Sequence, residues 1–171
     1  MFDDFKELLS AFNAHNVKYL VVGGYAVSFH SQPRATKDLD IFIKADPTNA
    51  NAAYEALARF GAPLVGIASS DLADPSKFIR FGRPPIAVDI LSGIEGVDFD
   101  EAWERRVESV IDPATGLIAF FISKPDLIAS KLASGRLRDL ADVEEIREAD
   151  ATGAESGGTN PNASEDEEPN A

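Results

Sequence analysis

Residues 21–43 read VVGGYAVSFHSQPRATKDLDIFI, and the placement of two glycines and two aspartates in this stretch decides the fold. The run VKYLVV (17–22) is rich in β-branched and aromatic residues and stops at Gly23-Gly24, which predicts a buried strand running into a tight turn. A short helix follows over 25–30, with Ala26, Val27 and Phe29 available for packing. Ser31-Gln32-Pro33 breaks it, because proline lacks the amide donor and restricts the residue before it. The chain returns as DLDIFI (38–43), with thirteen residues between Gly24 and Asp38. Alternate side chains of a strand face opposite ways, so Asp38 and Asp40 share one surface while Leu39, Ile41 and Ile43 face a core. Two carboxylates whose Cα atoms are about 6.5 Å apart repel one another unless a cation lies between them. Side chains of that reach converge on divalent ions about 3.5–4 Å apart, the spacing of two-metal phosphoryl transfer. The stretch therefore predicts a carboxylate metal site facing a phosphate-binding turn.

Outward from it, Phe2, Phe5, Leu8, Leu9 and Phe12 recur at helical spacing near the N-terminus. Residues 47–60 predict a second helix, with Asp46 as N-cap, Pro47 at its first position and Gly61 closing it. One or two short strands are expected near 64–67 and 78–81 and a clearer one at 86–91, with residues 69–76 as a surface loop. A short helix starts after Asp98, and strands at 107–111 and 117–122 flank the turn Asp112-Pro113-Ala114-Thr115-Gly116 as a hairpin. Ser123-Lys124-Pro125-Asp126 opens the last helical region, in which Gly135 is a candidate divider. Were 126–147 one helix, Lys131, Arg138 and Asp142 would fall on nearly one stripe. Helices and strands alternating in this way predict an α/β (α+β) fold, a mixed sheet flanked by helices with a C-terminal helical segment.

At 171 residues the chain suits one domain, here residues 1–148. Residues 149–171 hold six carboxylates, no Lys or Arg and no large apolar residue, so they read as a disordered acidic tail that serves solubility or a partner contact. Of the net charge of −13, −6 resides there and −7 in the rest. Broad electrostatic capture of nucleic acid is therefore not expected. With no cysteine and only His15 and His30, a thiolate or zinc site is disfavoured, and oxygen-ligated Mg²⁺ or Mn²⁺ fits better. The acidic opening MFDDFKELL is unlike a signal peptide, and no apolar run approaches a membrane span, so a cytoplasmic protein is expected.

A third carboxylate is needed to complete such a site, and Asp89, set between Val88 and Ile90 in IAVDIL, is the best candidate. Its plainer reading is a structural acid satisfied by Arg80 or Arg83. Gly23-Gly24 at a strand-to-helix turn would let backbone amides approach a triphosphate closely. The segment is neither a P-loop nor a dinucleotide fingerprint, since no Gly-Lys-Ser/Thr and no third glycine follows.

In this order and spacing, Gly23-Gly24, Asp38/Asp40 and Asp89 make the chain similar to the DNA polymerase beta-like nucleotidyltransferase superfamily, and to its small bacterial members in particular. GGYA, then Arg34-Ala35-Thr36, then the aspartate pair resembles the minimal and abortive-infection toxin type, as does KLASGRLRDLADV. The resemblance covers most of residues 17–145. It implies catalytic and metal-binding roles for Asp38, Asp40 and Asp89, and nucleotide contacts at Gly23, Gly24, Arg34, Thr36, Lys37 and Lys131. It further implies transfer of a nucleoside monophosphate from an NTP to a protein, RNA or small-molecule acceptor, in a toxin–antitoxin or defence setting. The rival from another class is an inactive nucleotide- or protein-binding module on the same fold. Bland readings stand beside these: Arg34 and Lys37 as surface cations, Thr36 as a turn hydroxyl, Lys131 as an exposed helix residue. For Arg138, Asp139 and Asp142 the charged helix face leads. His30 reads as a capping or packing residue and Trp103 as a core anchor.

Overall fold

Helix α1 (Asp3–Ala14) buries Phe5, Leu8, Leu9 and Phe12, the face its spacing predicts. In the computed structural model, which describes residues 1–83 and 86–155, this face packs into a core shared with strand β1 (Tyr19–Val22), whose four residues are all buried. Helix α2 (Gly23–His30) follows without a connecting residue, and strand β2 (Asp38–Ile43) returns antiparallel to β1, with Val22 opposite Asp40. Helix α3 (Pro47–Phe60) starts where the Asp46 carboxylate accepts a hydrogen bond from the Asn49 amide at 2.7 Å, and ends at Gly61 in the left-handed region.

The predicted strand at 64–67 is absent. Gly66 has φ +78°, the Ile67 amide donates to the Leu64 carbonyl, and Val65 stands in solvent, so a turn replaces it. The expected loop at 69–76 begins with one helical turn, α4 (Ser69–Leu72), because Leu72 finds a fully buried seat and the Asp71 carboxylate accepts from the Ala68 amide. Strands β3 (Phe78–Arg83) and β4 (Ile86–Leu91) pair antiparallel, and β4 lies parallel to β2. Helix α5 (Phe99–Glu104), capped by Asp98, leads into the antiparallel pair β5 (Val107–Asp112) and β6 (Leu117–Phe121). Beta6 runs parallel to β1.

Among the described residues, the six strands form one mixed sheet in the order β3-β4-β2-β1-β6-β5. Helices α6 (Lys124–Ser134) and α7 (Leu137–Glu155) are separate, because Gly135 adopts φ +65° and closes α6. The single stripe across 126–147 is thereby replaced by a corner. Helix α7 continues to Glu155, past the boundary expected at 148; residues 156–171 of the acidic tail lie outside the described residues. No helix among the described residues is long and apolar enough to cross a membrane.

Candidate active site

The register of the central strands sets Asp40 of β2 opposite Asp89 of β4, and Asp89 opposite Arg80 of β3. Asp40 also faces Val22, the last residue before the glycine turn. A row of chemistry-bearing side chains therefore crosses three strands and ends at Gly23. Asp38, two residues before Asp40, sits on the same face and opposite Ala87.

The two glycines are required for separate steric reasons. At Gly23, with φ +60°, a Cβ would lie 1.9 Å from Asp40 Oδ2. At Gly24 a Cβ would lie 2.8 Å from Thr36 Cγ2. The first glycine makes room for the carboxylate, and the second for the residue just ahead of β2. Thr36 acts here as a wedge, its carbonyl accepting from the Tyr25 hydroxyl at 3.2 Å. The N-cap of α2, Val22, offers no side-chain acceptor, so no side chain caps that helix start.

Arg80 spans two of the three acids. Its Nη1 donates to Asp89 Oδ2 at 2.8 Å and its Nη2 to Asp38 Oδ2 at 3.1 Å. Asp89 Oδ1 is buried with no hydrogen-bond partner among the described residues. Burial, and then the negative charges of Asp89 and Asp38, push the Asp40 carboxyl up to about 6. Burial also raises Asp89, against the pull of Arg80. The site is thus short of positive charge where Asp40 meets Asp89.

Among the described residues, no group of three or more carboxylate or histidine side chains is gathered as a ready metal-ligand set, and Arg80 holds Asp38 and one oxygen of Asp89. The donors nevertheless fit a hard divalent ion. All are carboxylate oxygens, one of them a buried orphan, and Asp40 is held in a state that a cation would relieve.

A second charged cluster faces this row across a cavity of about 810 Å³. Lys131 Nζ donates to Asp142 Oδ2 at 2.6 Å and to Asp139 Oδ1 at 3.0 Å, tying α6 to α7. Arg34 Nη1 donates to Asp142 Oδ1 at 2.7 Å and to Glu145 at 3.2 Å, tying the loop before β2 to the same helix. Burial pushes the Asp142 carboxyl up, but hydrogen bonds from Arg34 and Lys131 hold it below the usual range. Lys131 and Asp142 are both buried, so the reading of Lys131 as an exposed helix residue does not hold. Lys37 is exposed on the cavity wall and has no ion-pair partner among the described residues.

Every residue singled out in the sequence as catalytic, metal-binding or nucleotide-contacting borders this one cavity: Gly23, Gly24, Arg34, Thr36, Lys37, Asp38, Asp40, Asp89 and Lys131. The sequence reading left out Ser130, Ser134 and Arg136, which also line the cavity. Arg80 is one of the two arginines that the plainer reading of Asp89 names as its partner, and it does pair with Asp89; its reach on to Asp38 depends on the β3/β4/β2 register. His30 packs as expected, its Nε2 meeting the Ile122 carbonyl at 2.7 Å. Trp103 stacks on Phe99 with the Arg106 guanidinium over its ring, away from the cavity.

Comparison with known proteins supplies a family and several likenesses of fold. Residues 1–151 match the model of a family described as "Nucleotidyltransferase of unknown function (DUF6036)". No curated protein matches the sequence. Among solved structures, the lincomycin-bound lincosamide antibiotic adenylyltransferase LnuA is similar at 16% identity and a TM-score of 0.51, over 86% of this chain and 96% of that one. ANT(2")-Ia in complex with adenylyl-2"-tobramycin is similar at 12% identity and a TM-score of 0.53, over 89% of each chain. An antigenic nucleotidyltransferase-like protein from Paracoccidioides brasiliensis is similar at 17% identity and a TM-score of 0.50, over 82% of this chain and 72% of that one. At these identities the likeness is one of fold.

Proposed function

The chain belongs to this nucleotidyltransferase family, and from that premise we propose that it transfers a nucleoside monophosphate from an NTP to a hydroxyl acceptor at the Asp38/Asp40/Asp89 face. The observation that carries the reading is the cross-strand row in which Asp89 and Asp40 lie side by side and Asp40 abuts Gly23. Mg²⁺ or Mn²⁺ held by Asp38, Asp40 and Asp89 would supply charge neutralisation for the triphosphate and acidify the attacking hydroxyl.

The remaining work falls to the chain's own groups. The amides that open α2 at Gly23-Gly24 donate to phosphate oxygens, and the helix dipole favours the negative charge there. Lys37, without a competing carboxylate among the described residues, makes the direct cationic contact with phosphate. Arg34 and Lys131, each tied to Asp142, contact the nucleotide as carboxylate-paired cations. Asp89, whose Oδ1 has no hydrogen-bond partner among the described residues and whose affinity for a proton is raised by burial, accepts the proton of the attacking hydroxyl. The acceptor oxygen bonds to the α-phosphorus, the bond between the α- and β-phosphates breaks, and pyrophosphate departs.

The acceptor class is a protein hydroxyl, an RNA 3′ end or a small molecule. The acidic body supports the small molecule over RNA, as do neighbours of this fold described with lincomycin and with adenylyl-2"-tobramycin. Similarity of residues 21–43 and 131–142 to the toxin branch supports a toxin–antitoxin or defence setting. Incubation with each labelled NTP, Mg²⁺ or Mn²⁺ and a fractionated cell extract tests the reading. Label transfer with pyrophosphate release, lost in Asp38→Ala/Asp40→Ala, is the expected result. Absence of both for every NTP would remove it, and the labelled fraction identifies the acceptor class.

A further inference from the structure

Among the described residues, Arg80 is the one cation hydrogen-bonded to the acid row, and it reaches past its cross-strand partner. It lies on β3, opposite Asp89 of β4. A simple neighbouring pair would end there. Its second nitrogen instead passes over β4 to reach Asp38 on β2, at 3.1 Å. One planar guanidinium thus joins acids from two strands, neither of them its own.

The bridge is placed to be temporary. Arg80 keeps about half of its side chain in solvent, at 52%, and Asp38 is 40% exposed, so no packing locks the pair together. Asp40, the third acid, receives nothing from Arg80 by hydrogen bond, and Asp89 Oδ1 has no hydrogen-bond partner among the described residues. The positive charge therefore covers the outer edge of the row and leaves its inner part unneutralised. The groups facing the bridge are Asp38 and Asp40 from β2 and Asp89 from β4. Both oxygens that Arg80 occupies belong to carboxylates offered to a divalent ion in the proposed reaction.

We propose that Arg80 is a resident counter-cation of the active site, holding Asp38 and Asp89 while metal is absent and yielding them when a divalent ion arrives. The inference rests on the metal-dependent reading given above. Arg80 is a positioning residue on this account: it keeps two like-charged side chains from splaying apart, and it competes with the ion for them. Metal affinity of the nucleotide-free protein is lower than three acids alone would give.

The test is metal binding, read independently of turnover. Free Mn²⁺ is followed by electron paramagnetic resonance in titrations of wild type, Arg80→Met, Arg80→Lys and Arg83→Met, each without nucleotide and again with a non-hydrolysable NTP analogue. Arg83, exposed at the end of the same strand and outside the row, controls for a general change in charge. Arg80→Met is expected to bind Mn²⁺ about tenfold more tightly than wild type without nucleotide, and Arg83→Met within about twofold of it. Arg80→Lys, which keeps the charge but lacks the fork, falls between them. Metal-free Arg80→Met unfolds at a lower temperature than wild type and recovers on adding Mn²⁺.

Unchanged or weaker Mn²⁺ binding by Arg80→Met, or an equal gain in Arg83→Met, overturns the counter-cation role while leaving the transferase reading intact. Absence of Mn²⁺ binding in every variant, with and without the analogue, overturns the three-acid site and this inference with it.

Discussion

At Asp40 a single side chain carries both the strain of the site and its use. Its carboxyl sits against Gly23 so closely that no Cβ could occupy the space, and beside Asp89 and Asp38. Burial and those two charges raise its pKa to about 6, above the ordinary 3.8. The native state then binds this proton more tightly than the unfolded chain does. Stability from this group is fully present below about pH 4 and is lost as pH rises through about 6. A shift of about two units corresponds to an upper bound of about 3 kcal/mol lost at neutral pH, at about 1.4 kcal/mol per unit. Asp40→Asn, in EDTA, should therefore unfold at a higher temperature than wild type at pH 7.5, with the gap closing by pH 4, while abolishing transfer. Scanning calorimetry from pH 4 to 8 measures it; an Asn variant no more stable than wild type at pH 7.5 would show that the acids do not crowd one another.

Where helices α6 and α7 meet, the ion cluster decides how the C-terminal segment is held. Asp142 accepts from both Lys131 and Arg34, and Lys131 and Asp142 have side chains only 9% and 6% exposed. Removing one member of a buried pair strands the other, typically at about 3–5 kcal/mol. Asp142→Ala and Lys131→Met should each lower stability by about 3 kcal/mol, and the double variant by clearly less than their sum. Urea unfolding gives all three values; small, additive losses would mean that apolar packing, not the cluster, fixes the corner. Legibility in the sequence followed the same division between near and far. Asp46, Gly61, Asp98 and Ser123 act on amides or turns a few residues away, so the helices they bound could be read from the chain. The acid pair and its glycines were legible because strand alternation and one turn place them. Residues 64–67 misled because their apolar composition suits a strand, while Gly66 at φ +78° bends the backbone away from one. Arg80 was legible as a partner of Asp89, but its second bond, to Asp38, was out of reach because it depends on β3 pairing with β4 and β4 with β2, contacts that no local pattern encodes. Lys131 and Asp142 were associated for the wrong reason: Gly135 breaks the shared helix, and the two residues meet across the corner instead.

For the molecule as a whole, the difficulty is that a chain of net charge −13 must hold a polyanion. The cavity answers this by bringing together the acid row of β2 and β4, the Lys37 side chain beside it, and the Arg34 and Lys131 cluster. Arg34 and Lys131 are already outnumbered by Asp142, Glu145 and Asp139, so this cluster brings the cavity no surplus of positive charge. A bare triphosphate entering it would meet the acid row uncompensated, and repulsion between them in a partly desolvated site is strong. Nucleotide and divalent ion should therefore bind as a unit, each supplying the charge that the other needs. In thermal-shift measurements, NTP with EDTA should leave the melting temperature of the wild type essentially unchanged, and Mn²⁺ alone should raise it modestly. Both together should raise it by more than the sum of the separate shifts. A ligand at a hundred times its Kd contributes about 2.7 kcal/mol, which is a rise of several degrees in a domain of this size. Asp38→Ala/Asp40→Ala should lose the synergy and retain the fold. An equal shift from NTP in EDTA would mean that the cations of the cavity suffice for the triphosphate, and that the acids face something other than its metal complex.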